Sequence, residues 1–212
     1  MVKSFFKTLP VAAALVWLLI AASWAQANEP RHILILGDSL SAAYGMEQSQ
    51  AWVSLLKERL ATKQPQHFTI TNASISGETT DGGLRRLPEL LSKHQPDIVI
   101  LELGGNDGLR GFPPQVIRQN LQQMIDLSQQ NQAEVLLIGI EIPPNYGKRY
   151  TEAFSQIFAD LAQQFDLAFL PFFLDGVFDG QAMMQPDGIH PTAAAQPQLL
   201  NNVWPVLKPL LQ

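Results

Sequence analysis

The segment His32-Ile33-Leu34-Ile35-Leu36-Gly37-Asp38-Ser39 ends a short, β-rich apolar run, His32 to Leu36, at a glycine and a serine. Such a run reads as a strand. Downstream, strand-like and helix-like stretches alternate. Trp52 to Leu60 carries Trp52, Leu55, Leu56 and Leu60 at helical spacing. Phe68 to Asn72 alternates as a strand does. Leu84 to Leu91 is predicted helical, with Pro88 as the irregular point. Asp97 to Leu103 is a continuous apolar strand interrupted by Glu102. Pro114 to Gln130 reads as a helix with Val116, Ile117, Leu121, Ile125 and Leu127 inward. Glu134 to Ile140 is a second buried strand, Glu152 to Phe165 a helix and Leu167 to Leu170 a short last strand. Thr192 to Leu211 is a closing helix with irregularities marked by proline. No repeat, low-complexity tract or long linker is visible.

Strands that alternate with helices imply right-handed crossovers and a parallel sheet covered on both faces. The near-continuous apolar strands fit burial on both sides. The expected fold is a three-layer α/β/α, flavodoxin-like domain with a parallel sheet of about five strands, ordered 2-1-3-4-5. Such sheets bind ligands at the carboxyl ends of their strands. That rule sends Ser39, Ser76 and Gly77, Gly104 to Asp107, Pro143 to Tyr146, and Asp187 with His190 to one edge.

Serine needs a base to become a nucleophile, and a histidine held by a carboxylate is the usual one. The chain has 4 histidines. His32, His67 and His94 precede or begin strands, which puts them at the opposite edge. His190 alone lies on the loop edge, with Asp187 three residues before it. Pro191 restricts His190 to an extended backbone. An attacked carbonyl also needs donors for its negative oxygen. The backbone N–H of Ser39, the backbone of Gly77 and the side-chain amide of Asn106 are the candidates.

These blocks resemble a known family. Gly37-Asp38-Ser39-Leu40, Gly77, Gly104-Gly105-Asn106-Asp107 and Asp187-Gly188-Ile189-His190 are similar, in order, to the four blocks of the SGNH (GDSL) hydrolases. Asn72 to Gly77, Glu102 to Gly111 and Pro144 to Gly147 resemble the bacterial arylesterase / multifunctional acyl-CoA thioesterase I / lysophospholipase L1 subfamily. The resemblance implies a nucleophile at Ser39, oxyanion donors at Ser39, Gly77 and Asn106, and an acid–base pair at Asp187 and His190. It also implies an acyl-binding side that takes in Ile142, Pro143 and Tyr146. Where some relatives carry arginine this chain has Gly45, which bears on fine specificity.

Each residue also has an ordinary structural reading. Ser39 could be a helix N-cap. Asp187 and His190 could form a surface turn or half a metal site. Gly77 could simply make a turn. Asn106 could bond its own backbone. Asp38 and Asp107 read as acceptors that fix their loops, and Arg110 as a loop anchor or a substrate contact. Phe172, Phe173, Phe178, Met183 and Met184 could be core or an acyl-chain wall. The glycines at 104 and 105 lack the spacing of a phosphate cradle.

The bulk numbers narrow the function classes. The net charge of -5 gives no polyanion-binding footprint, so no nucleic-acid partner is expected. With no cysteine, disulfides and thiolate chemistry are ruled out. Lys3 and Lys7, the apolar run Val11 to Ala22 and Ala25-Gln26-Ala27 read as a signal peptide over residues 1–27, with the hydrolase domain over 28–212. The apolar run is shorter than the roughly 20 residues a membrane span needs, so no stable anchor is expected. The expectation is a periplasmic or secreted monomer that hydrolyses carboxylic (aryl and acyl) esters, acyl thioesters and lysophospholipids, with no cofactor and no metal. A binding protein or acyl-chain carrier on the same fold is the competing reading. An esterase for carbohydrate acetyl groups is a third.

Overall fold

The computed structural model describes residues 30–63, 67–178 and 182–212. The expected targeting segment, 1–27, lies outside them. From Arg31 onward the chain forms one unit. Its sheet has five strands: β1 (Arg31–Gly37), β2 (Phe68–Asn72), β3 (Ile98–Glu102), β4 (Glu134–Ile138) and β5 (Ala168–Leu170). They are ordered β2-β1-β3-β4-β5 and every pairing is parallel. The order and the parallel pairing are those expected from the alternating pattern.

The helices are α1 (Trp52–Lys63), α2 (Thr80–His94), α3 (Gly105–Leu109), α4 (Pro114–Gln130), α5 (Lys148–Phe165) and α6 (Gln196–Leu207). α1 packs with α6, while α2, α4 and α5 pack side by side, which makes the three layers. Ile33 to Leu36, Ile98 to Leu101, Leu136 and Leu137 are fully buried between them. Removing that much apolar surface from water is the main favourable contribution to this fold.

Three local differences have physical causes. Val116 was expected inside but is 42% exposed. The inner stripe of α4 runs through Ile117, Leu121, Met124, Ile125 and Ser128. Val116 precedes that stripe by one residue, about 100° around the helix. Ser128 is tolerated inside because its hydroxyl donates to the Met124 carbonyl at 2.8 Å. α2 begins at Thr80, earlier than its apolar residues suggested, because the Thr79 side chain caps Gly82 N–H at 3.3 Å. Pro88 stays within α2 on its exposed side, where water can reach the carbonyl left unpaired one turn back.

Candidate active site

Ser39 lies in the turn directly after β1 and is half-buried. Its hydroxyl is 2.9 Å from His190 Nε2. His190 Nδ1 is 2.7 Å from Asp187 Oδ2. A carboxylate can only accept, so Nδ1 carries the hydrogen and Nε2 is left to accept from Ser39. The other Asp187 oxygen accepts the backbone N–H of His190 at 3.0 Å and of Ile189 at 2.9 Å. Those two N–H groups, and then the His190 ring, hold the Asp187 carboxyl down to about 2. The loop is braced by a bridge between Met184 and Pro191, and Gln185 N–H donates to the His190 carbonyl at 2.7 Å.

Asn106 sits in the short helix α3. Gly104 precedes that helix with a φ of 119°, a backbone region few residues other than glycine adopt. The Asn106 amide donates to Asp38 Oδ2 at 2.9 Å. One amide hydrogen is therefore committed and the other is left to point elsewhere. The second Asp38 oxygen accepts Leu40 N–H at 3.0 Å. Burial pushes the Asp38 carboxyl up to about 6, against the opposing pull of Leu40 N–H.

Beneath this pair is a second buried acid. Glu102, at the end of β3, accepts the Ser41 hydroxyl at 2.7 Å and Asp38 N–H at 3.3 Å. Trp52 Nε1 donates to the same Ser41 oxygen at 3.3 Å. Gly37 leaves the room this needs, since a Cβ there would stand 2.6 Å from Glu102 Oε2. Burial, and then the charge of Asp38, drive the Glu102 carboxyl well above its usual range. Asp38 and Glu102 thus form a buried acid pair behind the turn after β1, with the neutral acid favoured at Glu102. Only the interruption of an apolar strand by Glu102 hinted at it in the sequence.

The third acid, Asp107, ties α3 to the start of α2. Its oxygens accept Thr80 N–H at 2.9 Å and the Thr80 hydroxyl at 2.6 Å. Arg110 Nη2 donates to the Gly77 carbonyl at 3.1 Å, so Arg110 anchors the loop after β2.

A cavity of about 400 Å³ opens beside Ser39. Ser39, Asn106 and His190 stand in its wall with Leu109, Ile140, Ile142, Pro143, Phe172, Leu174, Phe178 and Ile189. Ile142 and Pro143, the residues the resemblance names for acyl binding, are part of that wall. Gly77 and Tyr146 are not in that wall. The Tyr146 hydroxyl instead donates to the Leu109 carbonyl at 2.7 Å, which steadies a residue that is. Phe178 and Phe172 line the cavity, whereas Phe173 is fully buried in the core. Leu109, Ile140 and Leu174 were missed, because their apolar character does not distinguish cavity wall from core. Among the described residues no group of three or more His, Cys, Asp or Glu could hold a metal ion. Among them, too, no helix is long and apolar enough to cross a membrane.

An esterase TesA of Pseudomonas aeruginosa is 55% identical over 179 residues, covering 84% of this chain and 89% of the relative. A thioesterase 1/protease 1/lysophospholipase L1 of Escherichia coli K12 is 50% identical over 179 residues, 84% of each. The crystal structure of TesA superposes with a TM-score of 0.82 at 54% identity, covering 85% of this chain and 99% of that one. Residues 35–196 match the GDSL-like lipase/acylhydrolase family, so the chain belongs to that family and is a carboxylic ester hydrolase.

Proposed function

We propose that this chain is an exported serine esterase acting on carboxylic (aryl and acyl) esters, acyl thioesters and lysophospholipids through an acyl-enzyme on Ser39. The observation that carries the reading is the 2.9 Å approach of His190 Nε2 to the Ser39 hydroxyl, with Asp187 on the other ring nitrogen. His190 takes the Ser39 proton as Oγ attacks the carbonyl carbon. It then gives that proton to the leaving group as the acyl-enzyme forms. Water repeats the sequence in the second half. Asp187 keeps the ring in the required tautomer and offsets the positive charge that forms on it. The N–H groups of Ser39 and Gly77 and the free amide hydrogen of Asn106 receive the oxyanion. One such donor is worth about 10²–10³ in rate. The apolar cavity takes the acyl chain, with Ile142 and Pro143 in its wall. Tyr146 supports it from outside.

Residues 1–27 act as a signal peptide in this reading, and residues 28–212 as a periplasmic or secreted monomer. The basic start and the small residues at Ala25 and Ala27 support that. The test is a panel of aryl esters, acyl-CoA thioesters and lysophospholipids run on wild type and on folded Ser39→Ala. The account expects all three classes to be turned over and every rate to fall by at least about 10³-fold in the variant. An unchanged rate in the variant overturns it, and a strict preference for acetylated sugars overturns the acyl-chain assignment.

A further inference from the structure

The edge of the His190 ring is held at both nitrogens, by Asp187 and by Ser39. Two bonds at opposite ends of a ring leave one motion weakly restrained, a flap about the line that joins them. Hydrogen-bond directionality resists such a flap softly. A contact on the ring face resists it sterically.

Tyr44 makes that contact. Its ring centroid is 4.2 Å from that of His190, with the planes 34° apart. Tyr44 is 47% exposed, so core packing does not explain its place. It is also absent from the wall of the acyl cavity. The turn that presents it is held in an unusual conformation. Ala43, just before it, has a φ of 62°, a left-handed backbone that non-glycine residues adopt at a cost. Strain of this kind persists where the surroundings over-determine it.

Gln185 supplies the determination. Its side-chain amide donates to the Tyr44 carbonyl and to the Pro191 carbonyl, both at 3.0 Å. Its backbone N–H donates to the His190 carbonyl. One residue therefore fastens the Tyr44 turn to the backbone of His190 and to the residue after it. That turn begins at Ser39, whose carbonyl accepts Tyr44 N–H at 3.4 Å. Nucleophile, base and aromatic ring are thus braced against one another.

We propose that Tyr44 is a positioning residue: its ring clamps the face of His190, Gln185 holds the clamp closed, and the ring stabilises the imidazolium of the transition state. The inference rests on the reading of His190 as the base. When the Ser39 proton moves to Nε2, the Oγ–C bond forms and the carbonyl π pair moves to its oxygen. The positive charge then lies against the negative face of the Tyr44 ring. A cation–π contact at an exposed site is worth about two- to fivefold in rate. Holding the ring aligned adds to that, since small misplacements of a reacting group lower rates strongly.

The experiment compares kcat and KM for wild type, Tyr44→Phe, Tyr44→Leu and His190→Ala, with an aryl and an alkyl ester of one acyl group. Thermal melts check folding. Tyr44→Leu should lose about tenfold in kcat on both esters with KM little changed. Tyr44→Phe, which keeps the ring, should restore most of the rate. A Leu variant as fast as wild type overturns the clamp. So does a Phe variant as slow as Leu, or a loss confined to KM for the aryl ester, which would make Tyr44 a leaving-group shelf. Activity surviving in His190→Ala would overturn the base assignment itself. A dead His190→Ala beside a fully active Tyr44→Leu would overturn the clamp alone.

Discussion

His32 and His190 are two histidines with both ring nitrogens partnered and an aspartate close by, yet only one is placed to do chemistry. At His32 the nitrogens meet the hydroxyls of Thr71 and Thr69, at 2.9 and 3.2 Å. Its aspartate, Asp97, accepts the backbone N–H at 2.6 Å and leaves the ring alone. His94 lies beside it, with ring centroids 5.5 Å apart. Burial, and then His94, lower the pKa of His32. At His190 the aspartate takes the ring nitrogen, the other nitrogen faces a serine, and the serine faces a cavity. Threonine hydroxyls can serve either tautomer of His32. The carboxylate at His190 serves one. In the proposed mechanism it is the position of the carboxylate that separates His190 as a base from His32 as a strut.

Removing each ring in turn should separate the two histidines most. His190→Ala should lower kcat by about 10³–10⁶-fold. His32→Ala should leave kcat within about twofold and shift only the urea midpoint. Steady-state kinetics beside equilibrium unfolding separate the two, and a large kcat loss in His32→Ala would dissolve the contrast.

A smaller effect sharpens it at Asp38. Asp38→Asn keeps the shape but leaves one acceptor oxygen where the carboxylate serves both the Asn106 amide, at 2.9 Å, and Leu40 N–H, at 3.0 Å. Misaiming one oxyanion donor should cost about 10–10² in kcat. The loss should vanish in an Asn106→Ala background, because the two residues act through one donor. A double-mutant cycle measures this, and additive losses would contradict it.

Strand positions such as Ile33–Leu36 and Ile98–Leu101 were readable in the sequence because burial on both faces leaves an unbroken apolar run. The separation of His190 from His32 was readable because strand direction alone decides which edge a loop reaches. The Tyr44 contact was not, since no spacing rule brings a residue after β1 onto a ring after β5. The off-wall position of Tyr146 depends on side-chain direction, as does the outward face of Val116. Motif blocks carry residue order but not direction.

Glu102→Gln should have a small effect on rate and a distinct effect on stability. The Glu102 carboxyl is raised in the fold, so the folded chain holds a proton that the unfolded chain gives up near 4.5. The stability it contributes is full below that value and is lost as pH rises towards its folded value. Glu102→Gln removes the dependence. Its stability relative to wild type should therefore grow by up to about 1.4 kcal/mol per pH unit above pH 4.5. Urea unfolding at pH 5 and pH 8 reads this, and parallel curves for the two proteins would contradict it.

The most direct measurement is covalent capture of the nucleophile. An alkyl phosphonofluoridate, followed by intact mass and peptide mapping, should add one phosphonyl group per chain, on Ser39, as hydrolysis falls to zero. Ser39→Ala should take up none. An adduct on another residue, or full hydrolysis by a chain already labelled at Ser39, would contradict the account.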